Sequence, residues 1–203
     1  MLRHYDQHQG GVRVYTRKLL RAMLDLRSAH RFVLLYRDPA LLGTYGDEPN
    51  VEEAALAARS VIEWDQLAVP RAVERERIDV LFHPKYSIPL RAGCPAVWVC
   101  HGLDWYVMPW ASRWVDRLSH RFLVPRYASR AAAIVAVSEI TREHVMQYLP
   151  VPPERVVTVY SGVDDVFRRP VDPGRLPARK SDQPNPRFLA KLYELLGESD
   201  LAC

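Results

Sequence analysis

The amino-acid sequence predicts an α/β fold in which a mostly parallel, Rossmann-like sheet carries helices on both faces. Three observations carry that expectation. Apolar runs at 31–36, 79–83, 96–101 and 132–138 are short and largely unbroken, as in strands covered on both faces. Helix-period segments alternate with them, and turn signals such as Pro150-Val151-Pro152-Pro153 separate a helix from the next strand.

In chain order, VRVYTRKLLRAMLDL (12–26) spaces Val14, Leu19, Ala22, Met23 and Leu26 at roughly helical intervals with basic residues between them. This is an amphipathic helix that begins just after Gly10 and Gly11. RFVLLY (31–36) is a strand, and the stretch from there to about residue 59 has no defined pattern. A strand is expected at 60–63, a helix at 65–77 and a strand at 79–83 (DVLFH). AVWVCH, from Ala96, is the next strand, followed by a polar and aromatic loop to Pro109. A helix is expected over about 112–131, with Pro125 kinking or dividing it. The pattern repeats as AAIVAVS (132–138), a helix at 139–149 and the strand RVVTVYSG (155–162). Beyond Phe167, RRPVDPGRLPARKSDQPNPR is rich in proline and charge, so 1–168 reads as the folded domain. The stretch 169–203 reads as a tail with one short helix at 188–196.

A chain of 203 residues with 48% hydrophobic and 26% charged residues suffices for one buried core. Its formal charge is +4, but the 28 basic and 24 acidic residues are interspersed, without the basic stripe that tracks a phosphate backbone. Nucleic acid is therefore not an expected partner. Cys94, Cys100 and Cys203 lack ligand-like spacing and suit a reducing compartment. No secretory leader opens the sequence, and no run reaches the roughly 18 apolar residues of a membrane span. The expected location is cytoplasmic, with peripheral membrane contact left open. The sequence contains no Gly-x-Ser-x-Gly elbow, Walker loop, paired-cysteine site or His-Glu-x-x-His motif, which argues against hydrolase, nucleotidase and metalloprotease chemistry.

Ligands of doubly wound sheets bind outside the C-terminal ends of the strands, so residues that follow each apolar run are the first candidates. His101, after Val97-Trp98-Val99-Cys100, is placed to exchange a hydrogen bond with a sugar hydroxyl or phosphate, and Asp104 to orient it or bind a hydroxyl. The competing reading of His101 is a half-buried ring satisfied by a backbone carbonyl. His83 and Lys85 in HPKYSIPL are candidates for a polar acceptor, with loop solvation as their alternative. Gly10-Gly11 before a helix suits an anion, and Arg13 and Tyr15 in the first turns could assist it or remain surface residues. Ser138 reads as an N-cap, leaving Glu139 as a hydroxyl acceptor. The aromatic residues of WYVMPWASRW either pack, bind a sugar ring or meet a lipid interface. The seven histidines do not form a ligand string with carboxylates, so no metal is expected.

Taken together, GGVRVYTRKLLRAM (10–23), AVWVCHGLD (96–104), RYASRAAAIVAVSEITREHV (126–145) and ERVVTVYSGVDDVF (154–167) resemble the N-terminal half of a family 4 glycosyltransferase. Such enzymes retain anomeric configuration, use nucleotide sugars and face two Rossmann-like domains across a cleft (GT-B architecture). The resemblance implies an acceptor-side domain with His101 as the catalytic or sugar-positioning residue. It implies that Gly10 and Gly11 approach the donor diphosphate, and with this half shaping the acceptor side, the residues singled out above, Arg13, Tyr15, His83, Lys85, Asp104 and Glu139, are the expected acceptor-binding set. It implies no additional cofactor, and a saccharide or lipid-linked acceptor. The 36 residues after Phe167 are too few for a second Rossmann domain, so the donor-binding half is expected to be missing. Similar proteins open with an apolar strand that leads into the glycine loop. Here MLRHYDQHQGG stands in that place, so the first strand is expected to be incomplete. Two functions follow as expectations: a glycosyltransferase needing a second half, or a binding module for a saccharide, lipid-linked saccharide or protein.

Overall fold

The computed structural model describes residues 1–2, 10–27, 29–85, 87–111 and 114–162. The expected tail at 169–203 and its helix at 188–196 lie outside the described residues. Helix α1 (Gly11–Asp25) opens at Gly10, whose φ of 137° a residue with a Cβ adopts only with strain. Its buried face is Thr16, Leu20 and Leu24, spaced four apart, whereas Val14 and Leu26 are exposed. The expected apolar stripe included Val14 and Leu26. Thr16 joins the buried face instead because its hydroxyl donates to the Val12 carbonyl at 2.6 Å, which removes the cost of burying it.

Strand β1 (Phe32–Tyr36) pairs in parallel with β2 (Val51–Ala55), from Phe32↔Val51 to Tyr36↔Ala55. Sequence reasoning missed β2 and placed a strand at 60–63 instead. The β2 sequence VEEAA has no apolar alternation because its glutamates serve polar partners. Glu53 accepts from the Tyr36 hydroxyl at 2.8 Å and from Gly43 N–H at 2.6 Å, and Glu52 pairs with Arg31 at 2.9 Å. Residues 61–63 belong to a helical run, with Ser60 capping it through Glu63 N–H. That run comprises α2 (Val61–Glu63), a π-helical segment (Trp64–Ala68) and α3 (Val69–Arg75). Pro70 accounts for the widened turn: it has no N–H and its ring crowds the preceding turn. The Val69 N–H reaches back five residues to Trp64.

Strands β3 (Leu81–His83), β4 (Ala96–Cys100), β5 (Ala133–Ala136) and β6 (Val156–Thr158) form a parallel sheet in that order. Between β4 and β5 run α4 (Asp104–Val107) and α5 (Trp114–Arg130), and between β5 and β6 runs α6 (Glu139–Tyr148). Pro125 lies inside α5 without dividing it. The core gathers Trp64, Val69, Trp98, Ile134 and Val145 between the four-stranded sheet and its helices. Trp98 is fully buried on β4, where truncation to alanine in a core of this kind costs about 3–5 kcal/mol.

Met1 and Leu2 stand between the β1–β2 pair and the four-stranded sheet. The Leu2 N–H donates to the Leu35 carbonyl and the Met1 amino group to the Phe82 carbonyl, each at 2.8 Å. In spatial order the elements run β2, β1, Met1–Leu2, β3, β4, β5, β6. The two parallel sheets thus flank Met1–Leu2, and the chain order reverses there, as at the switch point of a doubly wound fold.

Candidate functional site

Because β3 to β6 are parallel, the segments that leave them share one edge, where Cys100↔Ala136↔Thr158 are in register. His101 leaves β4 at this edge, half-buried. Its Nε2 lies 2.9 Å from the Pro84 carbonyl, and its ring meets Tyr15 of α1 edge-on, centroids 4.8 Å apart at 89°. A carbonyl can only accept, so Nε2 carries the proton and Nδ1 of the neutral ring is an acceptor. Burial holds the His101 pKa below the usual histidine value, the Pro84 bond opposes this, and the Lys85 charge adds to the lowering. The expected bond to a backbone carbonyl is therefore present, and it leaves Nδ1 as the acceptor nitrogen of the ring.

The turn after His101 depends on Gly102. Its φ is 153°, and a Cβ there would stand 3.2 Å from Asp104 Oδ1. Asp104 is exposed in the first turn of α4, with its carboxylate folded back over Gly102. Trp105 stacks on His120 at 4.2 Å and Tyr106 on Tyr148 at 5.4 Å, while Trp110 and Trp114 are 77% and 72% exposed. Two aromatics of that loop therefore pack and two face solvent.

His83 is fully buried, its Nδ1 against the Ser87 carbonyl, so it braces the 83–88 turn and does not reach solvent. Lys85, half-buried on the same turn, acts on His101 through its charge. Tyr15 is half-buried, which raises its phenol pKa and keeps it protonated. Arg13 lies half-buried on the first turn of α1. Gly10 and Gly11 are exposed, with open space where side chains would stand, and α1 has no acidic residue in its first turn. The first N–H groups of a 15-residue helix thus begin at an uncrowded, positively polarised end.

Ser138 caps α6, accepting from Thr141 N–H at 3.2 Å. Glu139 is exposed and already engaged: Thr158 donates to it at 2.7 Å and Arg142 at 3.0 Å. The Thr158 bond, then the Arg142 bond, lowers its pKa, so it is a carboxylate at neutral pH. Thr158 was not singled out from sequence, because the apolar run RVVTVYSG hides where β6 ends. The structure therefore brings Tyr15, Lys85 and His101 together and ties Glu139 to Thr158 and Arg142. Cys100 is buried and its thiol is pushed up to about 11, so it is no nucleophile. Among the described residues no group of three or more His, Cys, Asp or Glu is placed to hold a metal ion. No helix among them is long and apolar enough to cross a membrane.

Parallel strands joined through helices, with polar side chains at their carboxyl ends, define an α/β protein of the Rossmann-like class. The chain belongs to Glycosyltransferase Family 4, whose model matches residues 9–167. Among solved structures it is similar to a glycosyltransferase from Rickettsia africae (TM-score 0.52, 16% identity), covering 95% of this chain and 47% of that one. It is also similar to HepE from Anabaena, solved with UDP and glucose, at TM-score 0.49 and 15% identity over 93% of this chain and 47% of that one. The chain thus spans about half the length of these structures. Among curated proteins none matches it.

Proposed function

We propose that this chain forms the acceptor-side half of a glycosyltransferase that moves a sugar from a nucleotide-sugar donor to a saccharide or lipid-linked acceptor. The observation that carries the reading is the Tyr15–His101–Pro84 arrangement at the carboxyl edge of the sheet, in a chain of this family. Neutral His101 offers Nδ1 to a hydroxyl of the transferred sugar and holds it while charge develops on the departing nucleotide. Tyr15 fixes the plane of that ring, and burial, with the Lys85 charge adding to it, disfavours its protonation.

Gly10 and Gly11 let the donor diphosphate approach the first N–H groups of α1. Arg13, Lys85, Asp104 and Glu139 offer charge or hydroxyl acceptors around the acceptor, with His83 supporting the loop that carries Lys85. The second wall of the cleft comes from another Rossmann-like domain, which bears most of the nucleotide contacts, so the chain alone turns over little donor. Exposed Trp114, Leu118 and Phe122 with exposed Arg117 and Arg121 on the same turns of α5, and exposed Trp110 in the segment before it, favour a lipid-linked acceptor met at a membrane surface over a free saccharide. The cytoplasm is the compartment that supplies nucleotide sugars to this reading.

The test measures nucleotide release from a panel of UDP- and GDP-sugars. The chain is assayed alone and after fusion to the C-terminal half of a family 4 enzyme, with lipid-linked and free saccharide acceptors. Turnover only in the fusion, lost on His101→Ala with the fold intact, is the expected result. Saccharide binding without turnover in any fusion would instead identify a non-catalytic binding module.

A further inference from the structure

Gln66 lies in the middle of the π-helical segment Trp64–Ala68, half-buried. In a regular α-helix the ring of Pro70 would strike the Gln66 carbonyl, and Pro70 has no N–H to offer it. The widened turn removes that clash at Gln66 itself. The Gln66 carboxamide then engages one short stretch of chain with both of its polar atoms. Its Nε2 donates to the Ile88 carbonyl at 3.1 Å, and its Oε1 accepts from the Leu90 N–H at 2.9 Å. A carbonyl only accepts and an N–H only donates, so the two partners fix the orientation of the amide. Those two backbone groups are the pair that one residue of a parallel neighbouring strand would engage. A side-chain amide stands in for that strand, at a stretch outside the strands of either sheet.

This clamp adjoins the segment that meets His101. His83 braces the start of the turn through the Ser87 carbonyl, and Gln66 holds its exit at Ile88, which is fully buried. Pro84 and Lys85 stand between the two braces. The Pro84 carbonyl accepts from His101 Nε2 at 2.9 Å, and that bond selects the neutral tautomer whose Nδ1 is an acceptor. Arg130 of α5 also donates to the Leu90 carbonyl, at 3.1 Å, but that bond is exposed and exchanges with water, whereas both Gln66 bonds are partly buried. We propose that Gln66 is a positioning residue for His101: its grip on Ile88 and Leu90 holds the turn where the Pro84 carbonyl keeps the proton on Nε2, leaving Nδ1 to accept from the sugar hydroxyl. The part played in sugar transfer rests on the function proposed above, whereas control of the tautomer does not. An amide is the group this task requires. An ionised glutamate would set an oxygen against the Ile88 carbonyl, and methionine offers that carbonyl no donor.

The test reads the His101 tautomer in the full chain carrying isotope-labelled histidine, by long-range proton–nitrogen correlation at mildly alkaline pH, with the resonance assigned by its loss in His101→Ala. The Nε2–H form should dominate in the unsubstituted chain. Gln66→Met should move the tautomer ratio toward Nδ1–H about fivefold, the value of one net hydrogen bond. Gln66→Glu, which keeps the length of the side chain, should move it in the same direction. Leu149→Val, which loosens the core at the far end of α6, should leave the ratio where it is. An unchanged ratio in both Gln66 variants, or an equal shift in Leu149→Val, would overturn the proposal. In the fusion with a C-terminal half, Gln66→Met should lower turnover by a similar factor. If His101→Ala left turnover there unchanged while the tautomer still followed Gln66, the sugar-transfer reading would fall and the tautomer control would stand.

Discussion

The Met1 amino group offers the sharpest thermodynamic prediction. It is fully buried, which pushes its pKa from 8.0 down to about 5, with the Asp65 carboxylate partly opposing the shift. A group whose folded pKa is depressed contributes its full stability above the unfolded value and loses it as pH falls toward the folded value. The window is therefore pH 8 to 5, and three pH units at about 1.4 kcal/mol each give a loss on the order of 4 kcal/mol. Against a typical domain stability of about 5–15 kcal/mol this is a large fraction. Urea unfolding followed by tryptophan fluorescence at pH 8, 7, 6 and 5 reads it directly. Acetylating the amine removes the ionisation while leaving an N–H for the Phe82 carbonyl, so the acetylated chain should show a much flatter profile. Curves of equal slope for the free and acetylated proteins across this window would refute the reasoning, and other titrations would then account for the pH dependence.

Three further outcomes are expected. Gly102→Ala should lower stability by about 1–3 kcal/mol, and Asp104→Ala should not fully rescue it, because the positive φ and not only the contact with Asp104 carries the cost; calorimetry of both variants decides. Ser138→Ala should cost about 1 kcal/mol, or about 2–4 °C in Tm, through loss of the Thr141 N–H bond, and a Tm unchanged within error would rule out the cap as a stabilising contact. The imidazole carbon resonances of His101 should titrate below the ordinary histidine value, moving upward when Lys85→Met removes the neighbouring charge; no movement would exclude that coupling.

The resemblance and the run of apolar segments placed most elements within a few residues, because a strand buried on both faces writes itself as an unbroken apolar stretch. FVLLY and AVWVC are such strands. Edge strand β2 was illegible for the converse reason: its side chains answer to Tyr36, Arg31 and the 43–45 loop, contacts that no local pattern records. The candidate site divides in the same way. His101 was named from its place after a strand, yet nothing along the chain joins it to Tyr15, 86 positions earlier, or to the Pro84 carbonyl. His83 carried the same sequence signal as His101, and only packing separated them, burying the first completely and leaving the second half-open.

By itself the sequence determined the α/β class, the order of most strands and helices, the capping of α6 and the family. Each of these is written in local periodicity, turn chemistry or an ordered set of motifs. Tertiary structure decided which histidine stays half-exposed at the carboxyl edge of the sheet, which tautomer it holds, and that Met1 and Leu2 stand between the two sets of strands. These depend on hydrogen bonds and buried surfaces shared by residues far apart in the chain, which become neighbours only when the parallel strands assemble.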